Sequence, residues 1–322
     1  MKNLNIGVIG LGAIGMKHLS ALALVERATI TAVADVNEKA LETAAKQYNA
    51  APYNDFSKML SHKGLDAVIV ATPDQLHCDA SVMAAEAGKH VLVEKPLATT
   101  IKDAEDIINA VDKAGVKLMV GFSLRFAPHY VHAKKVVADG TLGDVVSIFA
   151  RRLNVITQAD RLKGRCGVLM FLGTHDFDAM RWIVGSEPTS IYCAASTSVP
   201  SAYPIENETF SIIRFKNGVV GCAHIGWYLQ MQHPAGRDFK LDVIGNKGSL
   251  DLDQMRQGVE IYTANGAKFP SIGSGLFDED RAFVDCVLDD KPSPATGQDG
   301  IASLRMVLAA EESIKTQQPV TL

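Results

Sequence analysis

Gly10-Leu11-Gly12-Ala13-Ile14-Gly15 follows the apolar run Leu4-Asn5-Ile6-Gly7-Val8-Ile9 and opens a stretch of helical spacing, Ala13 to Val25. A G-x-G-x-x-G pattern means little alone, but between a strand and a helix it has a physical reading. The first glycine allows the tight turn. The second lets a pyrophosphate approach the backbone, and the third lets helix and strand pack closely. The bound phosphates then rest on free N–H groups at the positive end of the helix. Gly10, Gly12, Ala13, Ile14 and Gly15 are therefore predicted to cradle a dinucleotide.

Working outward, Thr29 to Asp35, Leu65 to Thr72, His90 to Val93 and Lys117 to Gly121 read as buried strands, with a weaker one at Ala51 to Tyr53. They are rich in Val and Ile and too short for helices. Glu38 to Tyr48, Gln75 to Ala87 and Ile101 to Ala114 carry helical spacing between them. Strands alternating with helices imply right-handed crossovers and a parallel sheet of the Rossmann type. Asp35 ends the second strand about twenty residues beyond Gly15, where a carboxylate binds the adenosine ribose hydroxyls and repels the extra phosphate of NADP. The expected cofactor is NAD.

Beyond Gly121 the texture changes. A helix is expected from Pro128 to Ala138 and a strand from Asp144 to Asn154. Strands follow at Thr189 to Val199, Thr209 to Lys216, Val219 to Leu229, Asp238 to Ile244, Ser249 to Leu252 and Val259 to Thr263, and a helix from Gly300 to Lys315 closes the chain. Asn217-Gly218 between two β-rich runs signals a hairpin. The expected organisation is a dinucleotide-binding domain over residues 1–121 and an α+β domain with an open, mostly antiparallel sheet over residues 122–322.

Composition narrows the function. The 322 residues include 32 Lys and Arg against 36 Asp and Glu, with no long basic run, so a nucleic-acid partner has no electrostatic footprint. No apolar stretch approaches the roughly 18 residues of a bilayer span, and the N-terminus lacks the pattern of a signal peptide. The five scattered cysteines have neither metal-ligand spacing nor disulfide density. A cytoplasmic enzyme with reduced thiols and no metal is expected.

Two further strand ends carry chemistry. Ala71-Thr72-Pro73, with His77, and Val93-Glu94-Lys95-Pro96 lie at carboxyl ends of parallel strands, where open α/β sheets bind ligands. Thr72, Pro73, His77, Glu94 and Lys95 are thus candidate cofactor contacts, and Lys95 could also stabilise charge developing on a reacting oxygen. His18 reads as a packing or local polar residue rather than a catalytic one.

Together with Gly173-Thr174-His175, Asp178 and Arg181-Trp182, these motifs resemble the glucose–fructose oxidoreductase / inositol dehydrogenase family over essentially the whole chain. The resemblance implies NAD(P)-dependent oxidation or reduction at a secondary alcohol or keto carbon of a sugar, cyclitol or sugar acid. It matches the family lysine to Lys95 and the catalytic histidine to His175, implies a cis Lys95–Pro96 peptide, and implies a homodimer or homotetramer.

The chain departs from the family in two places, one of them Cys166-Gly167, where a glycine pair is common. Inositol-dehydrogenase-like members carry an aspartate four residues before the histidine, and here Phe171 stands there. Either Lys95 and His175 act without it, or Phe171 forms an apolar wall, or Asp176 or Asp178 substitutes. Arg125, Arg152 and Asn154 join Phe171 as candidate substrate contacts within a basic set that includes Arg151, Arg161, Lys163 and Arg165. His224, Trp227 and His233 are further candidates that sheet packing explains equally well. Two other functions fit the same motifs: a non-catalytic NAD- or sugar-sensing regulator, and a redox-cycling NAD-dependent lyase or glycosidase.

Overall fold

The apolar runs of the first third form six short strands, and all six pair in parallel. The computed structural model describes residues 3–196, 203–233, 235–253, 258–263, 266–268 and 275–322. In chain order these elements are β1 (Leu4–Ile9), α1 (Ala13–Leu22), β2 (Ala28–Ala34), α2 (Glu38–Tyr48), β3 (Ala51–Tyr53), α3 (Phe56–Met59), β4 (Ala67–Val70), α4 (His77–Glu86), β5 (His90–Glu94), α5 (Ile101–Ala114) and β6 (Leu118–Gly121). The sheet order is β3-β2-β1-β4-β5-β6. The order reverses between β1 and β4, so both strands deliver their carboxyl ends to one crevice. Ile6, Val8, Val33, Ile69, Val91, Leu92 and Val93 are fully buried, each contributing about 1.5–3 kcal/mol of apolar transfer. Thr100 accepts the Asp103 N–H at the start of α5, and Gly115 ends that helix in the left-handed conformation.

The second unit is built on α6 (Pro128–Ala138), β7 (Val145–Val155), α7 (Thr157–Leu162), α8 (Thr174–Val184), β8 (Pro188–Ala195), β9 (Glu208–Phe215), β10 (Val220–Leu229), β11 (Arg237–Gly245), β12 (Gly248–Asp253), β13 (Gly258–Thr263) and β14 (Gly266–Lys268). After α9 (Gly275–Leu288) and α10 (Gly297–Thr316), β15 (Val320–Thr321) adds an edge strand. The sheet has nine strands in the order β14-β13-β12-β11-β7-β10-β9-β8-β15. It is mostly antiparallel, with β7 and β10 parallel at its centre. Period-two alternation buries Thr209, Ser211, Ile213 and Phe215 of β9 and leaves Phe210 and Ile212 exposed. Residues 197–199 of the expected strand from Thr189 lie outside the described residues.

One boundary is corrected. The compact units are Met1–Ala127 with Ser274–Leu304, and Pro128–Gly273 with Arg305–Leu322. The sequence division at residue 121 assigned everything after it to the second domain. Helix α9, which the periodicity reading did not foresee, instead packs on α1. It is tied there by His18 to Asp280, and Arg27 binds Asp285 at 2.7 Å and Asp289 at 2.6 Å. The return segment runs beside β6, where Val120 N–H donates to the Ala295 carbonyl at 2.9 Å.

Candidate active site

In the first unit the glycine turn has the geometry its sequence requires. Gly10 has a φ of +91°, and a Cβ there would stand 2.6 Å from the Ala71 carbonyl oxygen. A Cβ on Gly15 would stand 1.9 Å from the Gly10 carbonyl oxygen, so only glycine lets α1 pack against the turn. Gly12 differs: a Cβ there meets no protein atom within 4 Å. The start of α1 has no side-chain cap and no acidic residue in its first turn, which leaves its N–H groups to a ligand. Asp35 closes the opposite side, accepting the Leu11 N–H at 2.5 Å and the Asn37 N–H at 2.7 Å. At the end of β4 the Thr72 hydroxyl is buried without a hydrogen-bond partner. Open space over Gly12, an uncapped helix and an orphaned hydroxyl fit a dinucleotide lying across the turn.

Behind these surfaces two expected cofactor contacts, His77 and Glu94, have partners within the protein. His77 is buried, with Nδ1 on the Pro96 carbonyl at 2.8 Å and Nε2 on the Thr72 carbonyl at 3.0 Å. Burial lowers its pKa. It therefore ties the Thr72-Pro73 turn to the Lys95-Pro96 turn, with both ring nitrogens committed. Glu94 is likewise committed: Oε2 accepts the Lys95 N–H at 3.1 Å and Oε1 meets His18 Nε2 at 3.1 Å. The Lys95–Pro96 peptide is cis, as expected.

His18 is fully buried, and its Nδ1 lies 2.7 Å from Asp280 Oδ1. A carboxylate oxygen stands at each ring nitrogen, so a doubly protonated ring can donate to both. Burial alone would strip that proton, but Asp280 and then Glu94 hold the His18 pKa well above the ordinary value. Burial also opposes charge on Glu94, yet His18 and Lys95 hold its carboxyl below the usual range. Glu279 is raised well above the usual range, first by burial and then by Glu94. His18, Glu279 and Asp280 are close enough to suggest a metal site. Both imidazole nitrogens already lie within hydrogen-bond distance of a carboxylate oxygen. Sequence reasoning missed Glu279 and Asp280; the available signal was the Asp278-Glu279-Asp280 run on an apolar helix.

The second unit carries His175, half-buried in the first turn of α8. The chain enters α8 through a π-helical turn, Leu169–Gly173, anchored by the Leu169 N–H on Glu206 Oε1 at 3.0 Å. A Cβ on Gly167 would overlap the Glu206 carboxylate at 2.0 Å, which explains the glycine after Cys166. Phe171 sits within the π-helical turn. Its ring lies 6.3 Å from Trp227, tilted by 48°, and the Arg161 guanidinium lies 5.5 Å over it. Trp227 is buried and donates to Asn207 Oδ1 at 2.5 Å, which makes it support for Phe171.

Two expected substrate contacts, Arg152 and Arg125, have ion-pair partners within the protein. Arg152 is buried on the helix-facing side of β7, where Nε donates to Asp176 Oδ2 at 2.5 Å and Nη2 to Oδ1 at 3.2 Å. Nη2 also reaches the Tyr130 hydroxyl at 3.3 Å, and burial pushes that phenol up to about 12. Both Asp176 oxygens accept from Arg152 in this pair. Arg125, in the first unit, binds Asp299 at 3.1 Å and the Pro294 carbonyl at 3.2 Å. Arg152 lies on the face of β7 that packs on α8. Asn154 is half-buried near the end of β7, in register with Arg237. Arg151 pairs with Asp238 at 2.9 Å, and His224 pairs with Glu208 and stacks on Phe210.

Comparison with known proteins agrees with this architecture. Residues 4–122 match the oxidoreductase family with an NAD-binding Rossmann fold, and residues 130–251 match the GFO/IDH/MocA C-terminal domain. The chain belongs to the GFO/IDH/MocA family and is an NAD-binding oxidoreductase. It is 29% identical to scyllo-inositol 2-dehydrogenase (NAD(+)) of Bacillus subtilis, over 98% of this chain and 95% of that one. It is 27% identical to myo-inositol 2-dehydrogenase of Thermotoga maritima, over 99% and 98%. Among solved structures, aldose-aldose oxidoreductase from Caulobacter crescentus complexed with glycerol superposes with a TM-score of 0.90 at 25% identity, covering 100% of both chains. Scyllo-inositol dehydrogenase from Lactobacillus casei with bound NAD(H) and scyllo-inositol shares the fold, with a TM-score of 0.86 at 24% identity over 99% of both chains. No helix among the described residues is long and apolar enough to cross a membrane.

Proposed function

We propose that this chain oxidises a secondary hydroxyl of a cyclitol, sugar or sugar acid, or runs the same reaction in reverse. The observation that carries this reading is the pairing, within one unit, of an uncapped glycine turn with Lys95 at the end of a nearby strand. NAD supplies the hydride acceptor. His175 takes the hydroxyl proton, since imidazole is the side chain suited to exchanging a proton near neutrality. Lys95 donates a hydrogen bond to the same oxygen as it becomes a carbonyl. The reaction requires both residues to reach one carbinol, with Thr72, Pro73 and the Gly10–Gly15 turn holding the cofactor. Phe171 supports a polyhydroxy ring as substrate, because an aromatic face packs against the C–H face of such a ring.

We further propose that the open sheet of the second unit pairs with a second copy, giving a homodimer or homotetramer. Its outer face exposes Tyr192, Phe210, Ile212, Val220 and Ile244, an apolar surface of the kind that marks an interface. A cytoplasmic setting is supported by the five cysteines, all of them free.

The test is NADH formation across inositols, aldoses and sugar acids. Turnover with at least one substrate is expected, with Lys95→Ala and His175→Ala each lowering kcat by about 100-fold or more. Full turnover in both variants, or no NADH from any substrate class, would overturn the reading.

A further inference from the structure

Asp280, His18 and Glu94 form a continuous buried chain ending on the backbone of the proposed catalytic lysine. Asp280 Oδ1 meets His18 Nδ1 at 2.7 Å, and His18 Nε2 meets Glu94 Oε1 at 3.1 Å. Glu94 Oε2 then accepts the Lys95 N–H at 3.1 Å. Three elements supply the links, since His18 lies on α1, Asp280 on α9 and Glu94 at the end of β5. Gly121 on the neighbouring strand leaves room for Glu94, because a Cβ there would stand 3.2 Å from its carboxylate.

We propose that His18, Asp280 and Glu94 are positioning residues for Lys95, and that the proton shared with Asp280 makes the lysine's placement depend on an imidazolium buried beneath it. This rests on the role proposed for Lys95. A carboxylate can hold two donors on separate oxygens only while both donors carry protons. If His18 loses its proton, one ring nitrogen presents a lone pair to a carboxylate, and Glu94 or Asp280 must turn away or take up a proton. Turning Glu94 releases the Lys95 N–H.

The charge balance supports the arrangement. Imidazolium, two carboxylates and a neutral Glu279 leave one net negative charge beside the lysine. Glu279 is fully buried and neither of its oxygens has a hydrogen-bond partner, an environment that keeps a carboxyl protonated. The ionisable groups facing the cluster are Glu279 and Asp280 from α9, Glu94 and Lys95 from the end of β5, and His77 from α4. Strands β1, β2 and β4 beneath α1 contain no ionisable side chain. Arg125, on the segment Ser123–Arg125 that packs on α9, is a buried cation already paired with Asp299.

The test uses the full chain labelled with 15N. In the wild type, both His18 ring nitrogens are expected to be protonated at neutral pH. The Lys95 amide resonance should move when His18 titrates well above neutrality. In Asp280→Asn the His18 transition should fall toward the ordinary imidazole range of about 6.5, carrying the Lys95 amide with it. There kcat should drop by about tenfold between about pH 6 and pH 9 while the KM for NAD changes less than about twofold, a loss typical of a missing orienting partner. Glu279→Gln, which copies the neutral acid, should keep the wild-type pH profile. A neutral His18 ring at pH 7 in the wild type, or a Lys95 amide indifferent to its titration, overturns the proposal. So does Glu279→Gln behaving like Asp280→Asn. The resonances are read without substrate, so a protein that reduces no NAD with any polyol would sink the enzymatic reading while leaving the positioning chain testable.

Discussion

Arg152 and Asp176 form a two-point ion pair inside the second unit, and Asp176 is the residue next to His175 in α8. The pair fixes the first turn of that helix against β7. Its contribution is best read by breaking one side. Arg152→Met leaves the Asp176 charge buried without its partner, and such half-deletions cost roughly 3–5 kcal/mol. The double variant Arg152→Met/Asp176→Leu should recover much of that loss. Chemical denaturation of the two variants checks this; equal destabilisation would mean that the pair is not what holds α8.

The glycine turn separates folding from binding. Gly15→Ala sets a methyl group 1.9 Å from the Gly10 carbonyl oxygen, so the turn and α1 must part. Gly12→Ala meets nothing in the protein within 4 Å. The first variant should lose both thermal stability and NAD binding. The second should melt like the wild type yet bind NAD at least about tenfold more weakly, since its methyl group occupies the approach of the phosphates. Differential scanning fluorimetry and a fluorescence titration with NADH measure the two effects.

Asp35 carries a related prediction. Its carboxylate already holds the Leu11 and Asn37 N–H groups, and it has lone pairs left for ribose hydroxyls. Asp35→Ser should raise the KM for NAD by about 10–100-fold, the loss of hydrogen bonds to a charged acceptor. The KM for NADP should fall at the same time, because the repelling charge is gone. Steady-state kinetics with both cofactors decide the matter; an unchanged cofactor ratio would remove Asp35 from the ribose site.

What could be read from sequence follows from how local each signal is. The parallel sheet was legible because most of its strands are short apolar runs separated by stretches of helical spacing, and that period is local. The roles of Arg152 and Arg125 were not, because alternation tells which face a residue occupies but not what covers that face. His18 reads from sequence as a packing or local polar residue, and its ring meets Asp280 and Glu94. Its partners were hidden because Asp280 lies 262 positions away along the chain, in a helix whose assignment to the first unit no local pattern records. The π-helical turn before α8 escaped for the opposite reason: Leu169-Met170-Phe171-Leu172-Gly173 is locally compatible with an ordinary helix. Its geometry depends on Glu206 capping Leu169 from a distant loop.

That same Glu206 makes stability depend on pH. Glu311 on α10 is pushed up to about 7, by burial first and then by the charge of Glu206. Glu206 is itself raised by burial, although it accepts the Leu169 N–H. A carboxyl whose folded pKa exceeds its unfolded value binds a proton more tightly in the folded chain. Its stabilisation is complete below the unfolded pKa of about 4.5 and is lost as the pH rises through about 7. Unfolding free energy should therefore fall across that window. Glu311→Gln keeps the neutral shape and should flatten the part of the slope between about 4.5 and about 7, raising stability at about pH 8 relative to the wild type. Denaturant titrations at a series of pH values test this, and a slope unchanged by the substitution would assign the titration to another group.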